Sequence, residues 1–427
     1  MTPARLGKGS KPKASDDLQD QTPDEKVCVS FLYSARTHKM VVMKIALINP
    51  AYEETLPSLE AMVTRYFHPR ELAKALAKRM DEATWIQGFR EEGKFRIGST
   101  ELNLFRARPF KGGIKELMSE HVDTSSLGRV IDRIKPDVVH IMGLLPMDIL
   151  RVAETCYEYT SRLSASFHGG HPSEDPSYYR LQLSALKKLS VILFNAPERA
   201  RIWGESGLID SSLKIAICPE TSSFFRLKDR EQIRQRTGIV GDPVCVASAR
   251  LHPLKDPLTV IKGFEQILKV KQGARLYWVF QTDELLSDVE AMLDASPQLR
   301  DSVQLRGSLQ FEKMEDFFNS ADFFIQASLE EYGGNSLVEA MACGAIPVVT
   351  NIPSFRYLTG NDRFGTLFET GDSEGLAKIV RELSKEKYQE YSKRIRDHFD
   401  EFLSFDTIAR TLQENMHGCR STNSDLA

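Results

Sequence analysis

The chain has 427 residues, enough for two domains of ordinary size, each with its own core. Its 56 Lys and Arg stand against 59 Asp and Glu, a formal net charge of −3, which excludes the basic footprint of a nucleic-acid surface and an acidic interaction tail. No apolar run approaches the roughly 20 residues of a membrane span or forms a secretory signal, and the six cysteines (28, 156, 218, 245, 343, 419) contain no C-x-x-C pair, so a cytosolic protein with reduced thiols and no zinc site is expected.

Residues 1–42 are polar apart from Cys28-Val-Ser-Phe-Leu-Tyr33 and are expected to form a disordered extension, since they cannot bury enough apolar area to offset ordering. The fold is expected to start at Met43-Lys-Ile-Ala-Leu-Ile-Asn-Pro50, a buried strand running into a turn. Strands and helices then alternate as in parallel βαβ units. Residues 70–79 place Leu72, Ala73, Leu76 and Ala77 on one helical face, with a basic face left for solvent or for peripheral contact with an anionic membrane. Residues 134–143, 164–170, 191–195 and 215–218 read as further strands, and the charged stretch 226–242 as the crossing between domains.

A second alternating run begins at Val244-Cys-Val-Ala-Ser248. It has candidate strands at 276–280, 303–305, 321–327 and 346–349, and helices at 259–270, 284–294 and 313–319. Amphipathic helices at 384–403 and 407–416 close the chain. Periodicity alone gives two α/β halves, with boundaries expected at 43–225 and 226–403.

The most specific segment is Ser328-Leu-Glu-Glu-Tyr-Gly-Gly-Asn-Ser-Leu-Val-Glu-Ala-Met-Ala-Cys-Gly-Ala-Ile-Pro-Val-Val349. It reads as the exit of a strand, a glycine loop, a short helix and a second strand, which places its acids where ligands bind in open α/β sheets. A helix N-terminus preceded by Gly333, Gly334, Asn335 and Ser336 offers unpaired backbone N–H groups to a phosphate. Glu331 and Glu339 suit hydroxyls, because a carboxylate accepts hydrogen bonds from two adjacent OH groups of a ribose or a sugar. Ser336-Leu-Val-Glu339 equally fits a capping box, in which Glu339 reaches back to the Ser336 N–H, and both readings stay open at this point.

The combination resembles the Glu-x7-Glu signature of retaining GT-B glycosyltransferases, specifically glycosyltransferase family 4 (glycosyl transferases group 1), over about 20 residues. The resemblance implies two Rossmann-like, doubly wound parallel-sheet domains facing an interdomain cleft, with a last helix, about 404–420, crossing back onto the N-terminal domain. It also implies that Glu331 contacts the transferred sugar, that the loop 333–336 meets a diphosphate, and that Glu339 holds a ribose. Ala247-Ser-Ala-Arg-Leu-His-Pro-Leu-Lys-Asp-Pro257 is similar to the family's Gly-Arg-Leu…Lys-Gly clamp, with Ala249 in place of the glycine and Asp256 after the lysine. Arg250 and Lys255 are then the expected diphosphate cations. His168, before Gly169 and Gly170, stands where relatives carry a histidine on the donor sugar, and Glu220 where they read Pro-Glu-Gly before the interdomain linker. A His168–His171 metal pair lacks a third ligand. One departure is Asn49-Pro-Ala-Tyr-Glu-Glu-Thr-Leu-Pro57, which replaces the family's Gly-Gly turn after the first strand and leaves the acceptor contacts without counterparts.

The implied activity is transfer of a sugar from a UDP-, GDP- or ADP-sugar to a hydroxyl acceptor, metal-independent, without a cofactor and with same-face attack. Alternatives are a GT-B epimerase or inverting transferase, and a silent sugar-nucleotide-binding protein. A hydride-transferring Rossmann enzyme is disfavoured, because no G-x-G-x-x-G follows the first strand.

Overall fold

The computed structural model describes residues 43–53, 56, 58–108, 122–143, 146–160 (backbone alone at 146–150), 162–364 and 366–416. The expected extension 1–42 and residues 417–420 of the closing helix lie outside the described residues.

Two sheets organise the chain. The first contains β1 (Lys44–Asn49), β2 (Glu82–Phe89), β3 (Gly93–Ile97), β4 (Thr100–Arg106), β5 (Val138–Met142), β6 (Leu163–Ser166), β7 (Val191–Phe194) and β8 (Lys214–Ile217), in the order β3-β4-β2-β1-β5-β6-β7-β8. All neighbours are parallel except β3 and β4, which form an edge hairpin. The second contains β9 (Val244–Ser248), β10 (Arg275–Val279), β11 (Val303–Leu305), β12 (Phe323–Gln326), β13 (Ile346–Thr350) and β14 (Leu367–Phe368), all parallel, in the order β11-β10-β9-β12-β13-β14.

The inner strands are near-continuous apolar runs because helices cover both faces of a parallel sheet. Phe323 and Phe324 of β12 are both fully buried although their side chains leave the sheet on opposite sides. Strand order reverses at β1 in the first sheet and at β9 in the second, and each reversal opens a crevice at the carboxyl ends of the strands. The β9–β12 crevice receives the residues after Ser248 and after Gln326.

Three local readings change in the structure. Residues 82–106, which carry no strand in the sequence reading, form β2, β3 and β4. Thr84, Gln87 and Asn103 are buried there among apolar neighbours and blur the hydrophobic period. The stretch 226–242 is not the crossing, because it holds the helix Arg230–Thr237, whose Ile233 enters the second core. Two of its arginines converge on one acid: Arg230 donates to Asp322 Oδ1 at 3.3 Å, and Arg234 and the Val244 N–H each donate to Oδ2 at 2.8 Å, while Arg236 pairs with Asp316. Residues 384–403 do not form one helix but a 3₁₀ turn, the helix Tyr388–His398 and a π-helical end at Phe399–Leu403.

The last described helix, Phe405–Met416, buries Phe405, Ile408, Leu412 and Met416 against Leu72 and Leu76 of the helix Phe67–Leu76, so the chain returns to the first sheet. In Phe67–Leu76 the buried alanines are Ala73 and Ala75, while Ala77 is exposed beyond its end. Part of the basic surface here is already paired, Arg70 and Lys74 with Glu71 and Lys78 with Asp406. No helix among the described residues is long and apolar enough to cross a membrane.

Asp322 is 5% exposed, so Asp322→Ala strands two partly buried guanidinium groups and a strand N–H. The variant is expected to lose about 3 to 5 kcal/mol of stability, measured by urea unfolding.

Candidate active site in the cleft between the sheets

The turn after β9 brings Ser248, Ala249 and Arg250 to one wall of a pocket of about 400 Å³. The segment after β12 supplies Gln326, Glu331 and Gly333 to Ser336, and Glu220 closes the side toward the first sheet. Ser248 to Arg250, Gln281, Asn335 and Ser336 also border a larger cleft of about 930 Å³. Glu339 lies on its floor and Glu53, Thr64, Arg65 and Phe67 of the first domain form the far wall. Phe67 packs tilted on Phe311 at 5.2 Å and edge-to-face on Phe224 at 5.4 Å, which joins both domains and the segment after β8 at one end of that cleft.

Arg250 is exposed and makes no hydrogen bond or ion pair among the described residues, so its five donors face the cleft unspent. Lys255 ends the 3₁₀ turn Pro253–Lys255 and pairs with Glu331, both side chains being less than one-fifth exposed. Glu331 also accepts from Gln326 Nε2 at 3.1 Å and Ser328 Oγ at 3.2 Å, and its carbonyl accepts from Ser354 Oγ at 2.9 Å. Asp256 adopts φ 42°, a left-handed turn that an aspartate tolerates, and its carboxylate accepts from the Thr259 N–H to cap the helix Pro257–Leu268. The departure from the family's Lys-Gly pair is thereby absorbed by a cap.

The helix Asn335–Ala342 settles the capping-box reading against it. Its N-cap is Gly334, at φ 61°, no side chain caps the first turn, and Ser336 is the second helical residue, with Oγ donating to Ser248 Oγ at 3.4 Å. The first-turn N–H groups are therefore left for a ligand anion. The Glu339 carboxyl has no hydrogen-bond or ion-pair partner among the described residues, and burial pushes it up to about 8.

His168 lies two residues beyond β6 and shares a 2.8 Å hydrogen bond with Ser166 Oγ through Nε2. Burial lowers it to about 4, so it is neutral at physiological pH. It does not line either pocket; Glu220, whose Oε1 is 3.8 Å from His168 Nδ1, stands there instead. The structure thus gathers Arg250, Lys255, Glu331, Gly333, Gly334, Asn335 and Ser336 around one pocket, with Glu339 in the adjoining cleft and His168 behind Glu220. Among the described residues no group of three His, Cys, Asp or Glu side chains is placed to hold a metal ion.

Sequence reasoning missed the residues that join the domains beside this pocket. Tyr332 enters the first domain: its ring lies 4.8 Å under the Arg199 guanidinium, its hydroxyl shares a 3.2 Å hydrogen bond with His171 Nε2, and its carbonyl accepts from Asn195 Nδ2 at 2.8 Å. A Cβ on Gly169 would stand 3.3 Å from the ring, which gives that glycine a packing reason. Arg199 also donates to Glu330 at 3.0 Å and Arg356 to Glu198 at 2.8 Å. The adjacent Glu330 and Glu331 face different domains. Their position beside an aromatic residue was the available signal.

Two substitutions check the helix start. Ser336→Ala is expected to change stability by less than about 0.5 kcal/mol, because no cap is lost. Gly334→Ala, which strains a positive φ and brings a Cβ within 2.7 Å of Leu358 Cδ1, should destabilise by more than about 1 kcal/mol in the same unfolding assay.

Residues 229–398 match the family model of glycosyl transferases group 1. No curated protein matches the chain. Among solved structures, Alr3699/HepE of Anabaena, in complex with UDP and glucose, is 16% identical over 88% of this chain and 100% of its own, with a TM-score of 0.60. Sucrose-phosphate synthase of Thermosynechococcus elongatus is 14% identical over 87% and 98%, with a TM-score of 0.64. A trehalose-6-phosphate protein of E. coli bound with UDP-2-fluoro glucose is 12% identical over 88% and 100%, with a TM-score of 0.62. These likenesses show the fold, two Rossmann-like domains in the GT-B arrangement. The second of the two sheets thus lies in a glycosyl transferases group 1 domain, and the whole chain has the GT-B fold.

Proposed function

We propose that the chain transfers a glycosyl group from a nucleoside-diphosphate sugar to a hydroxyl acceptor with retention of configuration and without a metal ion. The donor is taken by the domain 226–403, and the acceptor enters from the domain 43–225. The observation that carries this reading is the convergence of an unpaired guanidinium, Arg250, and an uncapped helix N-terminus, Asn335–Ala342, on one pocket at the strand-order reversal of the second sheet. The UDP and glucose held by the Anabaena protein support a nucleotide-sugar ligand for this architecture.

Departure of a nucleoside diphosphate places negative charge on the phosphate and oxocarbenium character on the sugar. Arg250, Lys255 and the first-turn N–H groups from Gly334 onward meet the phosphate charge, which makes a divalent cation unnecessary. Glu331 is oriented by Gln326 and Ser328 to accept from a sugar hydroxyl, with Lys255 bridging it to the diphosphate. Glu339 reaches the ribose from the cleft floor. Same-face attack, with a donor phosphate oxygen receiving the acceptor proton, requires no carboxylate nucleophile. His168 steadies the sugar side from behind Glu220.

A thermal-shift screen of UDP, GDP, ADP and their sugars identifies the donor, since ligand at about 100 times its dissociation constant adds about 2.7 kcal/mol of stability. Arg250→Ala is expected to reduce turnover by orders of magnitude with the fold intact. It is the cleaner variant, because Lys255→Ala also leaves Glu331 without its partner. Glu339→Gln should weaken calorimetric binding of the free nucleoside diphosphate, and Glu331→Gln should leave that binding nearly unchanged while sharply lowering transfer, which persists in excess EDTA. Full turnover in Arg250→Ala removes the diphosphate assignment, and strict Mn²⁺ or Mg²⁺ dependence removes the metal-free scheme.

A further inference from the structure

Glu220 is the acid of the cleft to which the donor scheme gives no task. It follows β8, where Asn195 Nδ2 donates to its Oε2 at 3.2 Å and to the Tyr332 carbonyl at 2.8 Å. Asn195 is thereby held by the Tyr332 carbonyl while it holds Glu220 through Oε2. Oε1 is left over: His168 Nδ1, at 3.8 Å, is beyond hydrogen-bond reach, and no hydrogen bond to Oε1 exists among the described residues. A Cβ on Gly333 would stand 3.0 Å from Oε1, so the carboxyl lies against the glycine loop itself. It shares the pocket with Arg250, Lys255 and Glu331.

We infer that Glu220 is a further catalytic residue of this cleft, presenting Oε1 to an oxygen of the transferred sugar as the hydrogen-bond donor that complements Glu331. The surroundings keep the proton on it. Burial raises the carboxyl to about 8, the Asn195 hydrogen bond offsets part of that rise, and the charge of Glu331 adds to it. The other groups facing it are His168, held neutral by burial, Lys255, paired with Glu331, and Arg250 across the pocket. Because Oε2 is the oxygen that accepts from Asn195, the proton resides on Oε1, facing the pocket. A carboxyl that donates reads a sugar oxygen that an ionised acid would repel. Two acids in one site thus hold opposite hydrogen-bonding roles, set by their environments.

The inference rests on the glycosyl-transfer reading, and the experiment separates the two. Turnover of UDP-glucose, GDP-mannose and ADP-glucose by the full chain is followed across neutral and alkaline pH for the wild type, Glu220→Gln, Glu220→Ala and Glu339→Gln. For each protein kcat at saturating donor, nucleoside-diphosphate Kd and unfolding midpoint are measured. Wild-type kcat is expected to fall as pH rises through about 8, where Glu220 loses its proton. Glu220→Gln, an amide that donates at every pH, should lower kcat at neutral pH by about tenfold and abolish the alkaline fall. Glu220→Ala should lower kcat by about 100-fold with Kd unchanged. Glu339→Gln should keep the alkaline fall, since its effect is on nucleotide binding. An alkaline fall that persists in Glu220→Gln, or a Glu220→Ala protein that loses only its unfolding midpoint, overturns the inference and leaves the transfer reading standing. A wild-type protein that turns over none of the three donors overturns both.

Discussion

The geometry of the cleft depends on the ion pair between Lys255 and Glu331. The two residues sit on different excursions from the second sheet, one after β9 and one after β12, and their pairing ties the walls of the pocket together. Both side chains are largely withdrawn from water, a cost that such a pair recovers only when its remaining hydrogen-bonding capacity is met. Gln326 and Ser328 meet it from the end of β12, and Asp256, immediately after the lysine, caps the next helix and holds the turn. The result is a charged site with its angles set before a ligand arrives, which is the arrangement electrostatic catalysis requires.

Tyr332 couples that site to the first domain. It is the residue immediately after Glu331, so the interdomain contacts of its ring, hydroxyl and carbonyl act one residue from the pocket. Asn195 joins the two systems, because one amide nitrogen serves both the Tyr332 carbonyl and Glu220. A change in domain separation would disturb the orientation of Glu220 and Glu331 together. The Phe67, Phe224 and Phe311 cluster forms the opposite, apolar end of the same interface.

Electrostatics divide the acids of the cleft by partner rather than by type. Glu331 has a lysine and two neutral donors, whereas Glu220 and Glu339 are withdrawn from water with one neutral donor and none, respectively, and burial pushes both up to about 8. The same residue type therefore supplies an anchored acceptor at one position and groups that hold their protons at the other two.

Much of this was legible in the sequence. The continuous apolar runs of β1, β9 and β12 identify buried parallel strands, and the segment from Glu331 to Glu339 with Arg250 and Lys255 carries the resemblance from which a phosphate-and-hydroxyl site is expected, because these signals are local and survive in one dimension. The strands at 82–106 were not, since buried Thr84, Gln87 and Asn103 interrupt the hydrophobic period. The helix within 226–242 was not, because Arg230 and Arg234 read as solvated until Asp322, some ninety residues on, is folded against them. Ser336 looked like a cap because the spacing to Glu339 is right, and only the backbone shows that the helix begins two residues earlier, with a left-handed Gly334 as its cap and no side-chain cap. The sequence by itself determined the two α/β halves and the residue types of the proposed donor pocket. The tertiary structure alone decided that Lys255 belongs to Glu331, that His168 stands behind Glu220, and that Glu220 keeps its proton, because pairing and desolvation depend on distances between residues far apart in the chain.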